Sequence, residues 1–126
     1  MTKRKIGFSS QFKKQFAMRQ VDPNWNDVFK EQLPEEIDSE RRTAWKYIVN
    51  QLIEGKRIPS HFKPHPIHAK RKLIKQIKMG LGNPAGITIK IIDIHLNGQA
   101  GDHLLIYSQS KTIVYLVAIG THSELF

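Results

Sequence analysis

The chain has 126 residues, 20 Lys and Arg against 11 Asp and Glu, a formal net charge of +9 and no cysteine. That length serves one domain, residues 1–126, with chain enough for one substantial core but not two. The missing cysteine excludes disulfides, thiolate nucleophiles and cysteine-based zinc sites, and the absence of any long apolar run excludes a signal sequence or membrane span, so a soluble cytoplasmic protein is expected.

The distribution of charge says more than its sum. Between Gly55 and Ile92 there is no acid, whereas Asp22, Asp27, Glu31, Glu35, Glu36, Asp38 and Glu40 crowd the interval before it. A basic stretch of this kind suits a phosphate backbone or an acidic protein segment.

Lys5 to Phe8 reads as a short strand, and Ser9 or Ser10 caps a helix through about Gln20 that buries Phe12 and Phe16 on one face. Asp22-Pro23 starts a second helical piece, with Trp25, Val28 and Phe29 as its apolar stripe and Pro34 as its end. The third pattern, from about Ser39 to Glu54, places Ala44, Trp45, Ile48, Leu52 and Ile53 together, and Gly55 stops it. Residues 58–68 hold three prolines, which predicts a loop. From Ala69 to Gly80, Arg71, Lys75 and Lys78 form a basic face opposite Leu73, Ile74 and Ile77. Gly82 to Gly86 signals a turn, Ile87 to Leu96 a strand, and residues 97–101 a flexible connection. Leu104 to Tyr107 and Thr112 to Ile119 are two more strands, joined through residues 108–111 as a hairpin. The order predicts an α+β domain, β-α-α(-α)-β-β-β, with an antiparallel sheet and the N-terminal helices packed on one face.

Six histidines are the groups here that titrate near neutrality. His61, His65 and His68 share the proline-rich loop, His95 lies near a strand end, His103 opens the next strand, and His122 follows the last. Clustered histidines are common zinc ligands, but there is no H-E-x-x-H pair. No metal and no other cofactor is expected. The other use of such residues is metal-free RNA cleavage. One histidine takes the proton of a ribose 2′-hydroxyl, another protonates the departing 5′-oxygen, and Lys or Arg steadies the charge on phosphorus.

The run Asp102-His103-Leu104-Leu105-Ile106-Tyr107, followed at the end of the chain by Gly120-Thr121-His122-Ser123-Glu124-Leu125-Phe126, resembles the YafQ branch of the RelE-like toxins. There a D-W-x-L-I-Y strand precedes G-T-H-x-x-L-F, and His65-Pro66-Ile67 is similar to its D-H-P-L segment. The resemblance implies the RelE-like fold and a toxin that cuts messenger RNA in the ribosomal A site. It further implies an acidic antitoxin partner, with operator DNA reached only through that antitoxin. Carried over, it makes His122 a principal acid or base, His65 and His95 further proton-handling or phosphate-binding groups, and Asp102 a base or an orienting carboxylate. Phe126 becomes the terminal aromatic that positions a nucleotide. Two positions depart from the pattern: Ala118 stands where relatives with R-T-G-T-H carry Arg, and His103 replaces the Trp, taking its place beside the substrate. The cation must then come from elsewhere, with Lys70, Arg71, Lys72 and Lys75 as candidates in an atypical basic insertion over residues 68–86. Two rivals remain: a non-enzymatic toxin similar to ParE, which lacks the terminal His, and a plain nucleic-acid-binding module.

Overall fold

In the computed structural model, which describes residues 3–68, 71–80 and 90–125, the chain forms a five-stranded sheet in the order β1-β5-β4-β3-β2. The strands are β1 (Lys5–Phe8), β2 (His65–Ile67), β3 (Ile91–His95), β4 (His103–Gln109) and β5 (Ile113–Thr121). Strands β2 to β5 pair antiparallel, and β1 joins the far edge parallel to β5. The three consecutive antiparallel strands are those read from the sequence, though β3 leaves out Lys90 and Leu96 of the expected Ile87–Leu96 run; residues 87–89 and the Gly82–Gly86 turn lie outside the described residues. The proline-rich segment holds more than a loop: His65–Ile67 is an edge strand, a place where Pro66 withholds no ladder donor that a neighbour needs.

Helix α1 (Ser10–Gln20) is capped by Ser9, whose Oγ accepts the Phe12 N–H at 2.9 Å and donates to the Val117 carbonyl at 2.6 Å. Asp22 caps a 3-10 turn with Pro23 in its first position, continuing into α2 (Asn26–Phe29). Helix α3 (Ala44–Glu54) starts at Thr43 rather than Ser39. The reason is local: the Asp38 carboxylate accepts the N–H groups of Glu40 and Arg42 and the Arg42 guanidinium, holding residues 38–42 in a non-helical turn. Gly55 ends α3 at φ 68°, a left-handed conformation that suits glycine.

Strand alternation sorts the core onto two faces. Ile94, Leu105, Tyr107, Leu116 and Ile119 meet Phe12, Trp25, Val28, Ile48, Leu52 and Phe62 from the N-terminal helices. On the second face Ile91, Ile106, Tyr115, Val117 and Ala118 receive Ile77 of α4 (Arg71–Gly80). A bulge pairs Ile106 with Ala118 and Tyr107 with Leu116, so Val117 and Ala118 both join the second face. Among the described residues no helix is long and apolar enough to cross a membrane.

Candidate active site

In β3, Ile92 and Ile94 point into the first core, so Asp93 and His95 share the second face with Ile91. His65 pairs directly across from Asp93. Its Nε2 is 3.8 Å from Asp93 Oδ2, and its ring centre is 6.0 Å from that of His95. One ligand atom from each of the three lies within 4.8 Å of the others. His65 Nδ1–H donates to the Lys63 carbonyl at 3.0 Å and His95 Nδ1–H to the Gly101 carbonyl at 2.8 Å. A carbonyl can only accept, so these bonds put the hydrogen on Nδ1 and leave each neutral Nε2 as a basic nitrogen. Gly101 lies against Asn97: a Cβ there would fall 1.9 Å from Asn97 Oδ1 and would push that side chain off its partners Asp27 and His103.

Asp93 is 3% exposed, and its Oδ1 has no hydrogen-bond partner among the described residues. Burial pushes its carboxyl above the ordinary carboxylate value, and the positive charge of His65, His95, His122 and Lys63 pulls it back. His65 and His95, from β2 and β3, are the imidazoles with a ring nitrogen within 4.8 Å of this buried acid, while His122, exposed just past β5, acts on it through its charge.

The turn that carries His122 is tied down from several sides. Asp102 Oδ1 accepts the His122 backbone N–H at 2.9 Å. In α5 (His122–Leu125), Glu124 accepts the N–H and hydroxyl of Thr121 and an N–H of Arg19. The Thr121 N–H chiefly, helped by the Thr121 hydroxyl and Arg19, holds the Glu124 carboxyl below its usual value. A Cβ on Gly120 would come 3.1 Å from Leu125 Cδ2, so glycine lets the terminal turn fold back on its strand.

His103 lies on the first face, with Leu105 and Tyr107, in a network of its own. Its ring stacks on Trp25 at 3.9 Å, its Nδ1 lies 3.0 Å from Asp27 Oδ1, and its side chain is 13% exposed. Asn97 donates to Asp27 and accepts the His103 N–H. Arg71 and Lys75 are exposed on α4, the helix that covers the sheet's second face, and Lys72 lies in the first turn of that helix. Lys70 and Phe126 lie outside the described residues. His61 packs edge-on against Phe62, and His68 is exposed. Asp93, Lys63, Asp27 and Arg19 were not singled out from the sequence. Only Asp93 carried a signal, as an acid inside the apolar run Ile91–Ile94, two residues before His95.

The family described as the bacterial toxin of type II toxin–antitoxin systems, YafQ, matches residues 4–126. Among solved structures, a copper-bound mutant toxin from Helicobacter pylori is 17% identical, with TM-score 0.60 over 98% of this chain and 99% of that one. A metal-bound toxin from the same organism is 20% identical, with TM-score 0.58 over 98% and 99%. The E. coli DinJ–YafQ complex is 22% identical, with TM-score 0.58 over 98% of both chains. No curated protein matches the chain.

Proposed function

Because the chain belongs to the YafQ toxins of type II toxin–antitoxin systems, we propose that it is a metal-independent endoribonuclease that cuts messenger RNA in the ribosomal A site. The observation that supports this reading is the meeting of His65 and His95 at the buried Asp93, with the charge of His122 acting on the same carboxylate. A neutral Nε2 takes the proton of the ribose 2′-hydroxyl, whose oxygen attacks phosphorus. The P–O5′ bond breaks as a protonated imidazole gives its proton to the leaving oxygen, and a 2′,3′-cyclic phosphate remains. His122 is a principal acid or base, held at its backbone by Asp102. His65 and His95 complete the proton relay beside Asp93.

Lys63, whose charge acts on Asp93, joins Arg71, Lys72 and Lys75 of α4, and Lys70 outside the described residues, in offsetting charge on the phosphate. Phe126 offers an aromatic surface to a nucleotide, and His103 meets the substrate along the edge that its stacking on Trp25 leaves open. The protein works in the cytoplasm without a membrane partner. An acidic antitoxin restrains it and alone brings it to operator DNA. The E. coli DinJ–YafQ complex, similar in fold, supports such a partnership.

Expression of the chain alone is expected to arrest growth, and His122→Ala to relieve the arrest with the fold intact by circular dichroism. Arrest that survives the substitution would favour a non-enzymatic toxin of the ParE kind. A second reading has its own observation. His65, Asp93 and His95 have the spacing and chemistry to hold a metal ion, two similar toxins have been solved with metal, and a bound cation would act there as a Lewis acid. Cleavage that persists in EDTA and leaves a cyclic phosphate supports the histidine mechanism, whereas loss with chelator and return with added metal supports the second.

A further inference from the structure

On the opposite face of the sheet from Asp93 and His95, a cleft of about 700 Å³ opens between the end of α3, the segment before β2 and the far half of β4. Its floor is Leu52, Ile58 and Tyr107, and its walls carry four cations, Arg4, Lys56, Arg57 and Lys63. Gln99 and Gln109 add amides, and among the described residues no carboxylate lines it. The cations are placed rather than scattered. Arg4 donates to Gln109 Oε1 at 2.7 Å and reaches the Leu52 carbonyl at 3.5 Å at the exposed end of α3. Gln51 holds the Arg57 carbonyl at 3.1 Å. Lys63 sits at φ 47°, a conformation that non-glycine residues rarely adopt. Of the four, Lys56 has an acid beside it, Glu54 at 2.9 Å.

The cleft also adjoins the candidate active site. Lys63 and Pro64 form its rim and lead directly into His65, and Lys63 is near enough to Asp93 to lower its carboxyl. Gln99, which donates to the Ser60 carbonyl at 2.8 Å, belongs to the turn whose Gly101 carbonyl holds His95. A polyanion lying beside the histidines can therefore pass around the three-residue edge strand β2 into the cleft.

We propose that this cleft is a second nucleotide subsite, taking the sugar-phosphate of single-stranded RNA that flanks the scissile linkage. Its volume lies within the roughly 300–1,000 Å³ of small-ligand pockets. The chemistry is that of single-strand binding: cations for the backbone, an apolar floor for one face of a base, and amides for its edge. The assignment rests on the nuclease reading for its location, but its binding can be measured without cleavage.

The test uses the variant Lys56→Gln/Arg57→Gln, two exposed side chains with no part in the histidine cluster, alongside the intact protein. Binding is measured with 2′-O-methyl RNA, which cannot be cut, as a dinucleotide and as a strand of about ten nucleotides. For the longer strand, the variant is expected to bind about tenfold more weakly, and its slope of log affinity against log salt is expected to shrink by about 1.4 for two lost contacts. The dinucleotide should bind both proteins alike. If cleavage occurs, KM for the longer RNA should rise while kcat stays the same. Equal loss on both lengths, no loss on either, or no RNA binding by the intact protein each overturns the subsite. So does a variant that weakens only antitoxin binding, which would make the cleft a protein surface. Failure of the nuclease reading alone would show as RNA binding that keeps this length dependence without any cleavage of unmodified RNA.

Discussion

Asp102 shows how much one side chain decides at this site. It makes its described contact through a single carboxylate oxygen, on the backbone N–H of His122, and so fixes where the imidazole begins. If that positioning is its whole part, an amide oxygen serves as well as a carboxylate. We expect Asp102→Asn to keep most of kcat and Asp102→Ala to lose about 10²-fold with KM little changed, the cost of a small misplacement of a catalytic group. Steady-state kinetics on the two variants checks this, and an inactive Asp102→Asn would instead make Asp102 the proton acceptor. Asp93 was harder to find. Nothing in the run Ile-Ile-Asp-Ile says that its acid is buried against His65, 28 residues earlier (93 − 65), because that meeting is made by the β2–β3 register and not by local pattern.

The segment between α2 and α3 explains where sequence periodicity stops working. The apolar stripe of α3 is legible, but its start is decided by competition for backbone N–H groups, and Asp38 wins them for a turn. The hydrogen bond from Arg42, with the Arg42 and Glu40 N–H groups behind it, holds the Asp38 carboxyl below its ordinary value. A lowered folded value means stability that is present above the ordinary carboxylate range and lost as pH falls through the folded one. Asp38→Ala is expected to cost about 2 kcal/mol at neutral pH. Urea unfolding of both proteins should show the gap closing in acid, and a gap independent of pH would refute the account. The edge strand β2 was missed for a related reason: proline rules out a central strand but not an outer one.

Across the whole molecule, the sheet works as a partition. The N-terminal helices fill one face, while the other carries α4, Leu125 of the terminal turn, and Asp93 with His95. Ala118 belongs to the same buried cluster as Ile77, so this position lies in the core under a basic helix. Ile77 is fully buried, and Ile77→Ala is expected to cost about 2–4 kcal/mol in thermal or urea unfolding. It should also weaken RNA binding by loosening the cations that α4 presents, whereas an unchanged melting temperature would mean that α4 contributes nothing to the fold.

Composition and pattern alone determined the class of the fold, the three consecutive strands, the caps at Ser9, Asp22 and Gly55, and the terminal Gly-Thr-His. Each of these depends on residues close together in the chain, where propensity and hydrogen-bond chemistry act directly. Tertiary structure decided the rest: the parallel docking of β1, the second core beneath α4, the stacking of His103 on Trp25, and the burial of Asp93 among the imidazoles. Those contacts join segments tens of residues apart. Strand register and the sidedness of the sheet bring them together, and neither is written in any local stretch of sequence.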